Sequence, residues 1–251
     1  MSVPYLITFR PIDRFFFGTS HSFAEGFFAE SMKYPQPTTI LGCLRNTILI
    51  QQNIVIMQQN GRYIPDITAN SQASRLTGTS KINGLNDNDD NFGVIERLSP
   101  VFIVTQKNSN MEDILFPVPA EVERNGDFFR YVKYEKKDNA ISSYSGIKKD
   151  FAIDRDPKLY PSSSLGGKDF WNAYIDNKQL PYNSDYAEDK AFITHTSVGI
   201  GRENRVAKPG MFYTKIDYSF KEGYSFGVLV WLSNGNVLKD SVITMGGEQS
   251  V

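Results

Sequence analysis

Three stretches of this 251-residue chain carry residue types that could grip a charged ligand. The first is His195-Thr196-Ser197-Val198-Gly199-Ile200-Gly201-Arg202-Glu203-Asn204-Arg205-Val206-Ala207-Lys208-Pro209-Gly210. Arg202, Arg205 and Lys208 fall within seven consecutive positions there, beside glycines. Such a loop can wrap a phosphate backbone with side-chain cations and backbone amides. It is not a dinucleotide fingerprint, because the third glycine and a following helix are missing. A solvated hairpin loop is the plain alternative. The second stretch is Ser31-Met32-Lys33-Tyr34-Pro35-Gln36-Pro37-Thr38-Thr39-Ile40-Leu41-Gly42-Cys43-Leu44-Arg45. A proline-stiffened loop runs into a helix N-terminus, whose free amides favour anions, and Lys33 and Arg45 add charge. Here the plain alternative is a capped core helix, with Gly42 permitting close packing. The third is Gly246-Gly247-Glu248 after a strand. Paired glycines let a chain approach sugar and phosphate closely, or simply make a terminal turn.

Other chemistry has little to draw on. Cys43 is the single cysteine, so no internal disulfide and no four-ligand zinc set is expected. Of the two histidines, His21 sits among Thr19, Ser20 and Ser22 and reads as a loop residue. Asp87, Asp89 and Asp90 could meet a hard cation but lack the spacing of a calcium loop. No cofactor and no resident metal are expected. The 27 Lys+Arg against 28 Asp+Glu argue against a wholly basic binder, while a local basic face on a neutral chain still attracts phosphates. The start Met1-Ser2-Val3-Pro4 lacks the basic region and apolar run of a secretory leader, and no stretch of 18 apolar residues occurs. The expected compartment is the reducing cytoplasm.

The elements that must position these stretches read as α+β, with mainly antiparallel strands, few helices and long loops. Val3 to Phe9 is a short apolar strand, followed by the aromatic run Phe15-Phe16-Phe17-Gly18. Leu41, Leu44, Ile48 and Val55 share one face at helical spacing, with Thr38 or Thr39 as cap, so a helix is expected from Thr39 to Gln59. Residues 65–93 show no period and read as a long loop insertion, and 136–164 is again polar and loop-like. Val101 to Val104 and Phe128 to Tyr134 read as strands, and Phe170 to Ile175 as a short helix. Phe212 to Phe220 alternates with the period of a half-buried strand. Tyr224 to Leu232 is apolar on both faces, hence an interior strand. Asn234-Gly235 signals a hairpin turn into a strand over Val237 to Thr244.

Taken in order, these segments resemble the RAMP superfamily of CRISPR-associated proteins, and within it the 5′-tag-binding subunit of the type III-B Cmr effector complex. Arg10-Pro11-Ile12-Asp13-Arg14-Phe15-Phe16-Phe17-Gly18 is similar to the family's opening, a proline and aspartate before an aromatic pair. Tyr34 to Arg45 is similar to its proline-rich entry into the first helix. Val198 to Arg205 with Gly210-Met211-Phe212-Tyr213 resembles its central loop and strand, and Met245-Gly246-Gly247-Glu248 its glycine-rich loop.

The resemblance implies ferredoxin-like βαββαβ modules related to RNA-recognition folds, one over 1–125 with the insertion near 65–93, and a second, incomplete one over 126–251. In the family, further chain with a closing strand follows the glycine-rich loop, so either the second module is incomplete or another polypeptide finishes it. It also implies a non-catalytic subunit that grips the repeat-derived 5′ tag of the CRISPR RNA and contacts the polymerase-like large subunit and a backbone RAMP subunit. The expected RNA contacts are Lys33, Arg45, His195, Arg202, Arg205, Lys208, Gly246 and Gly247. The chain's 18 phenylalanines, 13 tyrosines and two tryptophans offer rings for base stacking. Two other readings stay open. One is a metal-independent RAMP endoribonuclease that cuts CRISPR precursor RNA, with His195 as acid or base and Arg202 or Arg205 on the scissile phosphate. The other is a structural subunit whose polar loops bind only proteins.

Overall fold

The computed structural model describes residues 3–18, 27–54, 57–59, 62–64, 71–78, 92–107, 110–131, 133–136, 151–154, 164–203, 206–233, 238–243 and 245. The strands are β1 (Val3–Phe9), β2 (Phe27–Glu30), β3 (Met57–Gln59), β4 (Arg62–Ile64), β5 (Ile95–Leu98), β6 (Phe102–Lys107), β7 (Asn110–Pro117) and β8 (Val122–Asn125). They continue with β9 (Phe128–Tyr131), β10 (Lys133–Lys136), β11 (Phe151–Asp154), β12 (Leu165–Gly166), β13 (Leu180–Pro181), β14 (Phe192–Glu203), β15 (Val206–Phe220) and β16 (Tyr224–Leu232). The α-helices are α1 (Pro37–Gln51), α2 (Ser71–Thr77), α3 (Lys168–Ile175) and α4 (Glu188–Ala191). The class is α+β with antiparallel sheets, as expected.

The chain forms two compact units, 1–101 with 193–251, and 102–192. They cut the chain differently from modules over 1–125 and 126–251. The reason lies in strand pairing: β16, near the C-terminus, pairs antiparallel with β1 and with β5, so both ends of the chain join one unit.

In the first unit, β16 is the interior strand that its sequence implies. Phe226, Val228, Val230 and Leu232 are all buried, and β1 meets them in register, Phe9 opposite Phe226 and Ile7 opposite Val228. Burying each such side chain is worth about 1.5–3 kcal/mol. Helix α1 adds Ile40, Leu44 and Ile48 to the buried set and packs beside α2. Its start differs from expectation. Gln36 is the N-cap and makes no side-chain cap bond, while Pro37 occupies the first turn, where its missing N–H costs nothing. Its end differs too: Asn53 takes the left-handed conformation (φ 56°), and Ile54 N–H returns to Leu49 O, which stops the helix at Gln51, short of Gln59. Within 65–93, read as a loop, Ser71–Thr77 is helical. Residues 238–243 form no strand; instead Lys239 pairs both its backbone groups with the Gln51 amide, Nε2 to O at 2.7 Å and N to Oε1 at 3.0 Å.

In the second unit, β6 and β7 form a hairpin that β12 extends, and β8, β9 and β13 form a three-stranded sheet. Helix α3, where it was expected, brings Phe170 onto Val122, Phe129 and Leu180. The expected polar loop over 136–164 instead supplies β11, paired with β10. Gly166 and Gly167 lie in close quarters: a Cβ on Gly167 would stand 2.5 Å from the Tyr186 ring and 2.7 Å from Asp113 Oδ2. That space lets the Tyr186 hydroxyl donate to Asp113 Oδ2 at 2.6 Å. The carboxylate, accepting this bond and adding its charge, pushes the Tyr186 hydroxyl up to about 12 from 10.0.

Two predictions follow from these contacts. The fold favours the protonated Tyr186 phenol, so its contribution is full below pH 10 and lost as pH rises through about 12. Denaturant midpoints should fall across that window, and Tyr186→Phe should reduce the fall; an equal fall in both proteins would refute it. The second concerns Gly42, which is exposed on α1 with nothing within 4 Å of a built Cβ among the described residues, so close packing against them does not require it. Gly42→Ala should therefore stabilise the chain by about 1 kcal/mol and raise its melting midpoint by about 2–4 °C. A lowered midpoint would count against this account.

Candidate nucleic-acid interface

The aromatic run near the N-terminus is where the segments meet. Phe15 exchanges backbone bonds with Tyr218 of β15, N–H to O at 2.7 Å one way and 3.2 Å the other. Two residues on, Phe17 accepts from Met32 N–H at 2.9 Å and donates its N–H to Ser31 Oγ at 2.8 Å. Ser31 N–H donates to Ile216 O, continuing the parallel pairing of β2 with β15. The rings interlock in step: Phe15 stands 5.2 Å from Phe17, 5.3 Å from Phe226 and 5.7 Å from Phe220, with Phe220 and Phe226 4.6 Å apart. Tilted and edge-to-face pairs like these add about 0.5–1.5 kcal/mol each beyond area burial. The opening segment, the proline-rich segment and the β15–β16 region thus share one aromatic node.

Cations edge this node. Lys33 Nζ lies 5.8 Å from the Tyr218 ring centroid, and Lys215 Nζ lies 4.6 Å from that of Phe16. Lys215 also faces Asp217 Oδ2 at 3.6 Å; that carboxylate is buried and its Oδ1 has no hydrogen-bond partner among the described residues. The Tyr218 hydroxyl donates to Glu30 Oε1 at 2.9 Å. Arg45 lies apart from these contacts, on α1. Its guanidinium stands 5.4 Å from the Phe92 ring, with Nε and Nη2 buried and without a hydrogen-bond partner among the described residues, and burial lowers its pKa.

The stretch from His195 to Gly210 is not the loop expected. Its residues 195–203 lie in β14 and 206–210 in β15, two neighbouring strands of 12 and 15 residues. Only two residues separate them, which can join antiparallel strands alone. Alternating and β-branched residues on both sides of the turn explain why strand wins over loop. His195, half-buried, places Nε2 2.8 Å from Ser219 Oγ near the base of this ribbon. Farther along, Val198, Ile200 and Phe212 are exposed. The backbones of Arg202 and Lys208 lie on the two strands, while Arg205, Gly246 and Gly247 lie outside the described residues, as do His21, Asn234-Gly235 and the Asp87, Asp89, Asp90 group. Among the described residues, no cluster of three His, Cys, Asp or Glu side chains could hold a metal ion, and no helix is long and apolar enough to cross a membrane.

Of the expected contacts, then, Lys33 reaches the node, His195 lies on the adjoining ribbon, and Arg45 stands elsewhere. Sequence reasoning missed Lys215 and Phe16 as a cation–ring pair. Lys215 had been read only as the polar phase of an alternating strand, and nothing in that alternation shows which ring a lysine will cover.

Comparison with known proteins follows from this geometry. No curated protein matches the chain in sequence. Among solved structures, it is similar to a chain of the type III-B Cmr-beta complex bound to cognate target RNA and AMPPnP, seen by cryo-EM, at 14% identity and a TM-score of 0.47. That alignment covers 98% of this chain and 60% of the other, so this chain spans about three-fifths of that relative's length. A second chain, from a Cmr-beta complex bound to cognate target RNA, aligns at 12% identity with a TM-score of 0.40, covering 100% and 93% of the two chains. Residues 7–251 match the family described as CRISPR-associated protein (Cas_Cmr3), and the chain belongs to that family.

Proposed function

We propose that this chain is a non-catalytic, RNA-binding subunit of a type III, Cmr-like effector ribonucleoprotein, and that it grips the repeat-derived 5′ tag of the CRISPR RNA. The observation that carries this reading is the aromatic node at Phe15, edged by Lys33 and Lys215, in a member of the Cas_Cmr3 family. Single-stranded RNA is held by cations along its backbone and by rings under its bases; Lys33 and Lys215 offer the first, and the half-buried Phe16 and Phe17 at the edge of the node offer the second. Arg202, Arg205, Lys208, His195, Arg45, Gly246 and Gly247 complete the proposed contacts. In this reading the partners are the CRISPR RNA, the polymerase-like large subunit and a backbone RAMP subunit, in the cytoplasm.

The test is crosslinking within the assembled particle. Tag nucleotides should crosslink to this chain, on peptides carrying Lys33 and residues 195–215. Crosslinks restricted to the spacer or the 3′ end would overturn the tag assignment.

One observation favours the endoribonuclease reading: His195 Nε2 has a hydroxyl partner, Ser219 Oγ, at 2.8 Å. That contact is the kind that orients an imidazole, yet it also satisfies a half-buried histidine. The two readings part on His195→Ala. In the proposed reading, cells carrying it process precursor RNA normally, because another protein cuts. Accumulation of uncut precursor would assign the cleavage to this chain.

A further inference from the structure

Within the first unit a cavity of about 220 Å³ opens between the end of β1, the segment after it, and the chain returning from β16. Phe9, Phe15 and Phe226, all buried, and the half-buried Phe16 and Phe17 contribute to its walls. The remaining lining includes one exposed cation, Arg10, and two hydroxyl side chains, Thr8 and Ser241; among the described residues no lining residue is acidic. The C-terminal segment is brought there by the Gln51 amide, which pairs with Lys239 and reaches Ser241 Oγ at 3.3 Å. Met245, the residue before Gly246-Gly247, is also part of the lining.

We propose that this cavity receives one unpaired nucleobase of the bound RNA, with Arg10 serving the adjoining phosphate. The inference rests on the RNA-binding reading and adds a site that reading does not contain. Three features select this occupant. The volume is below the roughly 300–1,000 Å³ of pockets that enclose drug-sized ligands, so it suits a single ring system. Ring walls stack on a base of any identity. The polar side chains among the described lining, one cation and two hydroxyls, offer a base edge hydrogen bonds and favour the anionic backbone attached to it. Phe16, one wall, has Lys215 over its ring at 4.6 Å, so a second cation stands beside the same aromatic surface.

The test uses the full chain and a labelled single-stranded RNA of mixed sequence, with a series of the same RNA carrying one abasic site at each position. Abasic substitution at one position should weaken binding on the order of tenfold, and elsewhere by much less. Val242→Trp should fill the cavity from its exposed rim without touching the core, which an unchanged melting midpoint would verify. This variant should bind intact RNA about tenfold more weakly than the parent, while the critical abasic RNA binds both proteins equally. Abasic RNAs that all bind like the intact strand, or a Val242→Trp variant that binds intact RNA as the parent does, would overturn the base site and leave RNA binding standing. A parent chain that binds no RNA would overturn both.

Discussion

The packing of the Phe15 ring against Phe226 is the contact on which the first unit depends. Phe15 is attached to β15 through its backbone and to β16 through its ring. Those strands follow one another in sequence, joined by a tight turn with Gly223 at φ 84°. One side chain therefore fixes how the long β14–β15 ribbon departs from the β1–β16–β5 sheet. Truncating a buried phenylalanine typically costs about 3–5 kcal/mol, a large part of the 5–15 kcal/mol that holds a domain together. The placement of Lys33 and Lys215 depends on it as well: Lys33 lies over Tyr218, the residue bonded to Phe15, and Lys215 over Phe16, its neighbour.

The ribbon itself is built unlike a core element. Phe28, Val198, Ile200 and Phe212 are all more than half or about half exposed on the β14–β15–β2 sheet, at 62%, 59%, 50% and 55%. Clustered apolar side chains on a sheet are surface that a solitary protein normally avoids. In the proposed ribonucleoprotein, such surface is where partners would lie.

How much of this was legible depended on whether a local pattern decided the outcome. β1, β16 and the part of β15 from Phe212 on were readable as strands because alternation or a continuous apolar run favours extended chain, and α3 because Phe170, Trp171 and Tyr174 recur at helical spacing. Helix α1 was readable in its body, where Leu44 and Ile48 recur at helical spacing, and misread at its end, where Asn53 turning left-handed outweighed a stripe that seemed to continue to Val55. The glycines at 199, 201 and 210 suggested a loop, yet pairing with a long neighbouring strand overrode their weak local preference. The node was half legible. Phe15-Phe16-Phe17 announced itself as a cluster, but its partners Tyr218, Phe220 and Phe226 lie about two hundred residues away, and the β1–β16 register together with the Phe15–Tyr218 bridge brings them together. The compact units were hidden for the same reason: long-range strand pairing leaves no mark in the linear order.

Under the proposed function, the chain's net charge of −1 places a constraint on how it would hold RNA. Long-range attraction from the whole molecule is weak, so affinity must come from cations set at particular points and from surface that RNA gains by contact. Lys215 shows how that is arranged. Its charge is partly balanced by the buried Asp217 at 3.6 Å, which holds the ammonium over Phe16 rather than letting it sweep through solvent. A lysine positioned this way contributes less to the distant field and more to a phosphate that arrives beside the ring. Contacts to phosphates fix register without reading sequence, whereas bases seated against rings can be told apart by their edges. In the proposed reading, a nearly neutral protein with a ring-lined cavity next to fixed cations would suit one short, defined stretch of RNA better than coating any strand it meets.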